Sequence, residues 1–194
     1  MAVLRNRKTE YFDEEFKYKG EIIKIQQGKQ GAYVEILNKM IEQLDCSIKI
    51  HKRVLVHRFD LHPNYYSDDN KVLSRFINRI KQEIFRKYEI LNIGYGWVRE
   101  QERSKKQHYH LVIFLDGNKI RHPKKLNALI KAKWTAYGHM PTISKPYYYI
   151  DKNNYSKVRL DAIYRISYLA KVRGKGYRDP QAKDYGTSRL KLRL

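Results

Sequence analysis

The sequence predicts an α+β fold, in which a central antiparallel β-sheet is flanked by helices. Two observations lead to this prediction. Segments with helical and strand spacing of apolar residues alternate, in the order helix, strand, helix, strand, strand, helix, strand, helix. Short polar turns join neighbouring strands, and this favours antiparallel pairing because parallel strands need a long crossover connection.

The first half of the chain contains three predicted elements. Apolar residues at three- and four-residue spacing predict a helix over 33–44. An apolar centre then predicts a strand within 50–61. A second amphipathic helix is predicted over 72–85, with Asp68 or Asp69 as its N-terminal cap because a short carboxylate accepts hydrogen bonds from the first turn.

The second half begins with two strands. Residues 90–102 have the composition of a strand, and 103–107 form a polar turn. The clearest strand of the chain follows over 108–115, where an apolar run continues to Leu115. The remaining predicted elements are a basic amphipathic helix over 124–137, extended chain over 141–150 and a helix over 161–172.

The net charge limits the classes of partner. Lys and Arg total 41 against 20 Asp and Glu, which gives +21 on 194 residues. A charge of this size predicts a polyanionic partner, either nucleic acid or an anionic membrane surface. No stretch approaches the ~18 apolar residues of a membrane helix, and the first eight residues lack an apolar signal core. We therefore expect no membrane partner and a cytoplasmic protein.

Several common site types are excluded by composition and motif. The single cysteine, Cys46, rules out an internal disulfide, and no CxxC pair is present to build a zinc finger. The sequence also lacks a P-loop and an HExxH motif. Length allows one domain with a short extension, and we place the extension, basic and helical, at 1–50 and the domain at 51–194.

The segment His108-Tyr109-His110 is the first candidate for chemistry. Residues two apart on a strand point to the same face, so both imidazoles project side by side from the start of the 108–115 strand. That arrangement suits two ligands of one divalent ion. For an isolated pair, two hydrogen-bonded histidines at a strand edge are the commoner outcome.

The preceding strand adds a carboxylate. Glu100 and Glu102 share one face, and a hairpin register that pairs residue 100 with His108 or His110 brings Glu100 to the histidine face. Two imidazoles and one carboxylate, with open positions, suit an ion that also holds a substrate oxygen. Glu100 is the predicted third ligand and Glu102 the alternative. The competing interpretation of Glu100 is a solvated surface charge.

A second constellation lies in the last predicted helix. Tyr164, Tyr168 and Lys171 are spaced by four and three residues, which places them on one helical face. A tyrosine hydroxyl is a poor nucleophile near neutral pH, but a cation and a metal-bound phosphate lower the energy of its ionised form. The competing interpretation is ordinary packing of tyrosines at the edge of a core.

Aromatic and basic residues are interleaved over much of the chain. Aromatic rings stack on unpaired bases while cations follow the phosphate backbone, so this composition favours single-stranded nucleic acid. The predicted DNA contacts are Arg58, Trp134, Tyr148, Arg165 and Arg173.

Together these motifs resemble those of the HUH endonucleases, whose namesake element is His–hydrophobic–His. Tyr164-x-x-x-Tyr168-x-x-Lys171 is similar to the two-tyrosine motif of phage replication initiators. Over roughly 50–190 the chain most resembles the rolling-circle replication proteins of inovirus-type phages and prophages. The stretches that carry this likeness are 53–61, 97–101, 108–115, 164–171 and 186–189.

The resemblance implies a ferredoxin-like (RRM-like) core over 51–194 and a Mg²⁺ or Mn²⁺ cofactor. It implies nicking and rejoining of single-stranded DNA at a replication origin or hairpin, with host helicase and polymerase as partners in a bacterial cell. Tyr168 is the predicted first nucleophile, since it also fits the shorter Tyr-x-x-Lys spacing of single-tyrosine relatives, and Tyr164 is its alternating partner. The alternatives are a relaxase or transposase of the same chemistry, and a non-catalytic nucleic-acid-binding protein that controls replication.

Overall fold

The structure, a computed structural model, describes residues 9–26, 29–101 and 106–192. Within these ranges the chain forms ten strands and four α-helices. The strands are β1 (Glu10–Tyr11), β2 (Glu15–Tyr18), β3 (Glu21–Lys24), β4 (Ala32–Tyr33), β5 (Val54–Pro63), β6 (Gly94–Glu100), β7 (His108–Asp116), β8 (Gly138–His139), β9 (Tyr147–Ile150) and β10 (Tyr185–Thr187). The helices are α1 (Val34–His51), α2 (Lys71–Tyr88), α3 (Lys124–Trp134) and α4 (Tyr155–Ser167), and a 3-10 helix (Tyr168–Ala170) follows α4.

A six-stranded antiparallel sheet forms the centre of the described fold. Strand β7 lies in the middle, with β6 on one side and β5 on the other. Strand β10 extends the sheet beyond β6, while β8 and β9 both pair with β5. The predicted α+β class is confirmed, and the predicted hairpin of two central strands is present as β6 and β7.

Helices α1 and α4 cover one face of this sheet, together with the β2–β3 hairpin. The apolar side of α1 is buried, and the helix continues beyond its predicted end to His51. It ends there because Lys52 adopts a left-handed conformation with φ of 61° and donates its N–H to the carbonyl of Ile48. The following strand therefore begins at Val54 and not at residue 50.

The segment before α1 contains a β-hairpin that the sequence did not predict. Phe16 and Ile23, which face each other across the β2–β3 hairpin, are buried in the same core as α1 and the sheet. Each strand of this hairpin has only four residues, too few for periodicity to reveal. Residues on both sides of the boundary placed at 50 share one core, and the division into extension and domain stays a prediction.

Helices α2 and α3 cover the opposite face of the sheet. Trp134, at the end of α3, is fully buried, and its ring packs edge-on against Phe76 with 4.9 Å between centroids. The prediction that Trp134 contacts DNA is therefore wrong: basic residues surround it in sequence, but its own position lies on the apolar face of α3. Asp69 meets its predicted role in part, since its carboxylate accepts the N–H of Lys71 in the first turn of α2. No helix of the described ranges has the length and apolar character needed to cross a membrane.

Candidate metal centre

Strand pairing brings three metal-ligating side chains together on the α1 and α4 side of the sheet. Antiparallel pairing of β6 with β7 places Glu100 directly opposite His108. His110 follows two residues later on the same strand and so points to the same face. Glu100 is thus held on the histidine face by backbone register. Glu102, the alternative ligand, lies outside the described residues.

The ligand atoms of these residues converge. Glu100 Oε2 lies 3.2 Å from His110 Nε2 and 3.5 Å from His108 Nε2. One donor atom from each residue falls within 4.8 Å of the other two. Glu100 and His110 are buried, whereas the His108 side chain is 30% exposed and borders solvent. The group can hold a metal ion, and the open side at His108 leaves room for further oxygen ligands.

Two further residues fix the orientation of the ligands. Asp60, opposite His110 on β5, lies 2.9 Å from His110 Nδ1. His110 therefore presents Nε2 to the cluster, and this buried atom has no hydrogen bond to any described residue despite its closeness to Glu100. Lys175 Nζ donates to Glu100 Oε1 at 3.0 Å, which leaves Oε2 facing the histidines. A buried, unbonded imidazole nitrogen beside a carboxylate oxygen fits a metal ligand set.

Electrostatics keep the carboxylates ionised. Burial alone would raise the pKa of Glu100, but the close approach of the His108 and His110 imidazoles and the charge of Lys175 hold that pKa far below its usual range. Burial opposes ionisation of Asp60 as well, yet its contact with His110 lowers the pKa of this carboxyl. Burial lowers the pKa of Lys175 to about 8, with the attraction of Glu100 partly opposing the effect.

Tyr168 and Lys171 complete the cluster. Lys171 Nζ lies 3.1 Å from Glu100 Oε2 and donates to the Tyr168 hydroxyl at 2.6 Å. The Tyr168 ring packs edge-on against His110, with 5.9 Å between centroids, and the guanidinium of Arg58 lies 4.9 Å from its ring centre. A tyrosine hydroxyl, an ammonium group and a metal-binding carboxylate are therefore joined in one chain of contacts.

This arrangement does not come from a continuous helix. The predicted helix over 161–172 begins earlier, at Tyr155, and its α-helical part ends at Ser167. Tyr168 then enters the 3-10 helix, and Lys171 has extended backbone with ψ of 141°. Tyr164, one turn before Tyr168, is 47% exposed at the surface of α4. The structure thus brings Tyr168 and Lys171 to the candidate ligands and leaves Tyr164 exposed on the surface of α4.

Comparison with known proteins identifies a family whose matched range includes every residue of the cluster. Residues 16–188 match the YagK/YfjJ C-terminal domain. The chain belongs to this family. A relative described as uncharacterized protein YfjJ, from Escherichia coli (strain K12), is 23% identical over 201 residues, which cover 82% of this chain and 96% of the relative. No solved structure matches the chain.

The other predicted DNA contacts of this YagK/YfjJ C-terminal domain have different surroundings. Arg58 is buried and faces Tyr168 and Asp60, so it belongs to the cluster and not to an outer surface. Tyr148 is half-buried against the core. Arg165 donates to the carbonyl of Ser144, and Arg173 is exposed just before the segment that carries Lys175.

Sequence reasoning missed two functional side chains of the domain. Asp60 lies in a strand whose other residues include Arg58, and this pair of opposite charges in a buried strand was the available signal. Lys175 gave no signal, because it is one of many lysines in a basic, turn-rich segment. Its ammonium group can be fully buried because it donates hydrogen bonds to Glu100 and to the carbonyl of Lys171.

Proposed function

We propose that this chain is a metal-dependent DNA endonuclease and strand transferase of the HUH type, which nicks and rejoins single-stranded DNA. One observation carries the proposal: the hydroxyl of Tyr168 is linked through Lys171 to the carboxylate of a cluster that can hold a metal ion. A nucleophile and an electrophilic centre in one site are the requirement for transferring a phosphoryl group to the protein.

Each residue of the cluster has a role in such a reaction. Glu100, His108 and His110 would hold Mg²⁺ or Mn²⁺, which polarises the oxygens of a bound phosphate. The Tyr168 oxygen attacks phosphorus, the bond to the 3′ oxygen breaks, and the phenolic proton ends on that oxygen as a 3′-hydroxyl. Lys171 offsets the negative charge that develops on the tyrosine oxygen.

The product of this reaction is a protein joined to a 5′ end by a phosphotyrosine bond. This bond conserves the energy of the cleaved phosphodiester, so rejoining requires no ATP. Tyr164 lies one helical turn before Tyr168 on the surface of α4 and is our proposed second nucleophile, which would act when a regenerated junction is cut. The free 3′-hydroxyl would serve as a primer for a host polymerase, with a host helicase supplying the unwound strand.

We propose initiation of rolling-circle replication of a phage or prophage, in the cytoplasm of a bacterial host, as the biological role. A relaxase or transposase would use the same chemistry at a different kind of DNA end. The genes beside the coding sequence separate these roles, because coat-protein, conjugation and transposon genes mark the three contexts. A non-catalytic DNA-binding protein would differ from all three, because it would form no covalent adduct with DNA.

The experiment is capture of the covalent intermediate. Single-stranded DNA from the regions flanking the gene, labelled at the 5′ or the 3′ end, is incubated with the protein in Mn²⁺ or in EDTA. Denaturing gels then show which label migrates with protein. We expect an adduct only with metal, and only with the 3′-labelled fragment, since the protein holds the 5′ end of that fragment.

Tyrosine variants assign the nucleophile. Tyr168→Phe removes the hydroxyl at nearly constant volume and should abolish the first adduct, whereas Tyr164→Phe should retain it. Tyr155→Phe, on the same helix and also exposed, is the matched control. An adduct that persists in the double Tyr164→Phe/Tyr168→Phe variant contradicts the mechanism. So does an adduct that carries the 5′ label, because the protein would then be joined to a 3′ end. Metal-independent binding with no adduct on any strand supports the non-catalytic alternative.

A further inference from the structure

A cleft of about 430 Å³ adjoins the metal cluster at its open side. It lies between the end of β5, strand β8 and the start of β7. The residues that line it include His62, Asn64, Lys106, Gln107, His108 and His139. Because His108 belongs both to this cleft and to the metal cluster, a ligand in the cleft is in direct reach of a metal-bound group. We name it the His62–His139 cleft.

Imidazole rings form one wall of the cleft. The ring centroids of His139 and His62 are 4.8 Å apart, those of His62 and His108 are 5.2 Å apart, and those of His108 and His110 are 5.0 Å apart. The wall is held by backbone pairing of β5 with β8, in which His62 faces His139. A Cβ atom on Gly138 would lie 1.9 Å from the His62 carbonyl oxygen, so only glycine permits this close approach.

The opposite wall offers polar groups. Gln107 is buried, and its Nε2 donates to the carbonyl of Tyr65, whereas its Oε1 has no hydrogen-bond partner among the described residues. A buried acceptor without a partner is costly unless a ligand or water satisfies it. Lys106, which is exposed, donates to the carbonyl of Asn64 at the rim. The cleft therefore combines aromatic faces with a cation at its rim.

The position of Tyr168 indicates on which side of the nicked phosphate the cleft lies. The four imidazoles form a row from His110 to His139. Tyr168 contacts His110 at one end, and His62 and His139 lie beyond His108 towards the other. In a phosphoryl transfer the attacking and leaving oxygens lie roughly in line on opposite sides of phosphorus. With the phosphate at the cluster and Tyr168 attacking from the His110 side, the leaving 3′ oxygen faces His62.

We propose that the His62–His139 cleft binds the unpaired nucleotide whose 3′ oxygen leaves during nicking, and retains that nucleotide for rejoining. This inference rests on the proposed function. His62 and His139 supply faces on which a base stacks, and Lys106 pairs with a neighbouring phosphate. Stacking of this kind is tolerant of sequence, because every base has an aromatic face.

The test removes one base at a time from the nicked strand. In the wild-type protein, an abasic site immediately 5′ of the nicked phosphate should slow single-turnover nicking ~10-fold, the order expected for loss of one stacked base. In His139→Ala the intact strand should be slowed by a similar factor, and removal of the same base should have no further effect. An abasic site on the 3′ side should affect both proteins equally.

His139 is suited to this test because it is exposed and lies outside the metal ligand set. His122→Ala, which replaces another exposed histidine that contacts Tyr147, is the matched control and should retain the wild-type response. His139→Ala should also lower the ratio of rejoined to nicked strand, since the 3′-hydroxyl end escapes sooner.

Failure of the cleft and failure of the enzyme give different results. If wild type forms an adduct but His139→Ala keeps the full abasic penalty on the 5′ side, the cleft assignment is wrong and the nicking activity stands. If wild type forms no adduct on any strand, the enzyme and the cleft proposals fall together. As a readout without turnover, Tyr168→Phe should bind an oligonucleotide that ends in the released 3′-hydroxyl nucleotide more tightly than Tyr168→Phe/His139→Ala does.

Discussion

Asp60 holds the His110 ring through its Nδ1 atom, and we expect this contact to matter for metal binding. The Asp60 carboxylate lies 2.9 Å from Nδ1 and so directs Nε2 to the cluster. A carboxylate behind a metal-ligating imidazole fixes its tautomer and raises its basicity. Asp60 is not part of the candidate ligand group and would therefore act through His110.

We expect Asp60→Ala to weaken Mn²⁺ binding by about 10- to 100-fold, the usual effect of removing such a carboxylate. Calorimetric titration of the metal-free protein with Mn²⁺ measures this directly. Asp161→Ala, which removes an exposed carboxylate on α4, should bind Mn²⁺ like wild type. Equal affinity of the Asp60→Ala and wild-type proteins would show that His110 needs no orientation by this residue.

His57 makes stability depend on pH. Burial lowers the pKa of His57 to about 4, although hydrogen bonds to the Pro146 carbonyl and the Asn127 side chain partly oppose the shift. In the unfolded chain a histidine has a pKa of about 6.5. Between these values the unfolded chain binds a proton that the folded chain does not. Above pH 6.5 the neutral His57 side chain does not reduce the free energy of unfolding. This free energy decreases as the pH falls from 6.5 towards 4, because protonation then favours the unfolded chain.

We expect wild type to lose about 1 kcal/mol of unfolding free energy relative to His57→Gln between pH 8 and pH 5.5. Urea unfolding of both proteins in EDTA measures the difference. The comparison is needed because the pKa of His110 is raised, with burial opposed by Asp60 and Glu100, and this changes stability in the opposite direction. A difference between the two proteins that stays constant with pH would contradict the assignment to His57.

Arg159 connects three elements that cover one face of the sheet. From α4 it pairs with both carboxylate oxygens of Asp45 on α1, at 2.9 and 3.2 Å, and with Glu21 on β3 at 2.9 Å. The guanidinium is buried and its partners are partly exposed. This ion-paired cluster fixes α4, and hence the position from which Tyr168 reaches the metal ligands.

We expect Arg159→Met to lower the free energy of unfolding by about 2 kcal/mol, below the full range for a buried pair because Asp45 retains some contact with water. Lys157→Met, at an exposed site on the same helix, should change it little. Adding Asp45→Leu to Arg159→Met should recover part of the loss, because replacing both partners removes the unpaired charge. No recovery in this double-mutant cycle would mean that Arg159 contributes through packing alone.

The whole molecule carries +21 charges, and we expect this charge to supply most of its affinity for single-stranded DNA. The logarithm of the binding constant should fall linearly with the logarithm of salt concentration, with a slope of ~0.7 for each phosphate neutralised. Fluorescence anisotropy of a labelled oligonucleotide between 50 and 200 mM salt measures this slope. A flat response over that range would exclude the electrostatic account.

Two arginine variants locate the binding face. Arg173 precedes Gly174, whose carbonyl accepts the N–H of Gln101 beside the metal cluster. Arg173→Ala should reduce the slope by ~0.7, the loss of one phosphate contact. Arg79→Ala, on the exposed side of α2 across the sheet, should leave the slope unchanged. A reduced slope for Arg79→Ala with an unchanged slope for Arg173→Ala would indicate that DNA binds on the α2 face.

Local sequence information was enough to predict the α+β class, the two central strands and the candidate metal ligands. Alternation along a strand places His108 and His110 on one face whatever the rest of the fold does. The short turn and the apolar pattern allowed residue 100 to pair with 108 or with 110, and the structure pairs Glu100 with His108. Periodicity also identified α1 and α2, whose buried residues recur at helical spacing.

The contacts between polar side chains that are far apart in sequence depend on the tertiary structure. Asp60 comes from β5, on the far side of β7 from Glu100, and Lys175 comes from a segment without regular structure. Tyr168 and Lys171 reach Glu100 because the chain leaves α-helical geometry at Ser167, although the sequence predicted one continuous helical face. The burial of Trp134 and the position of Arg58 beside the cluster also depend on tertiary packing. Contacts between residues far apart in sequence depend on how sheet and helices pack, and no local pattern of apolar or charged residues encodes that packing.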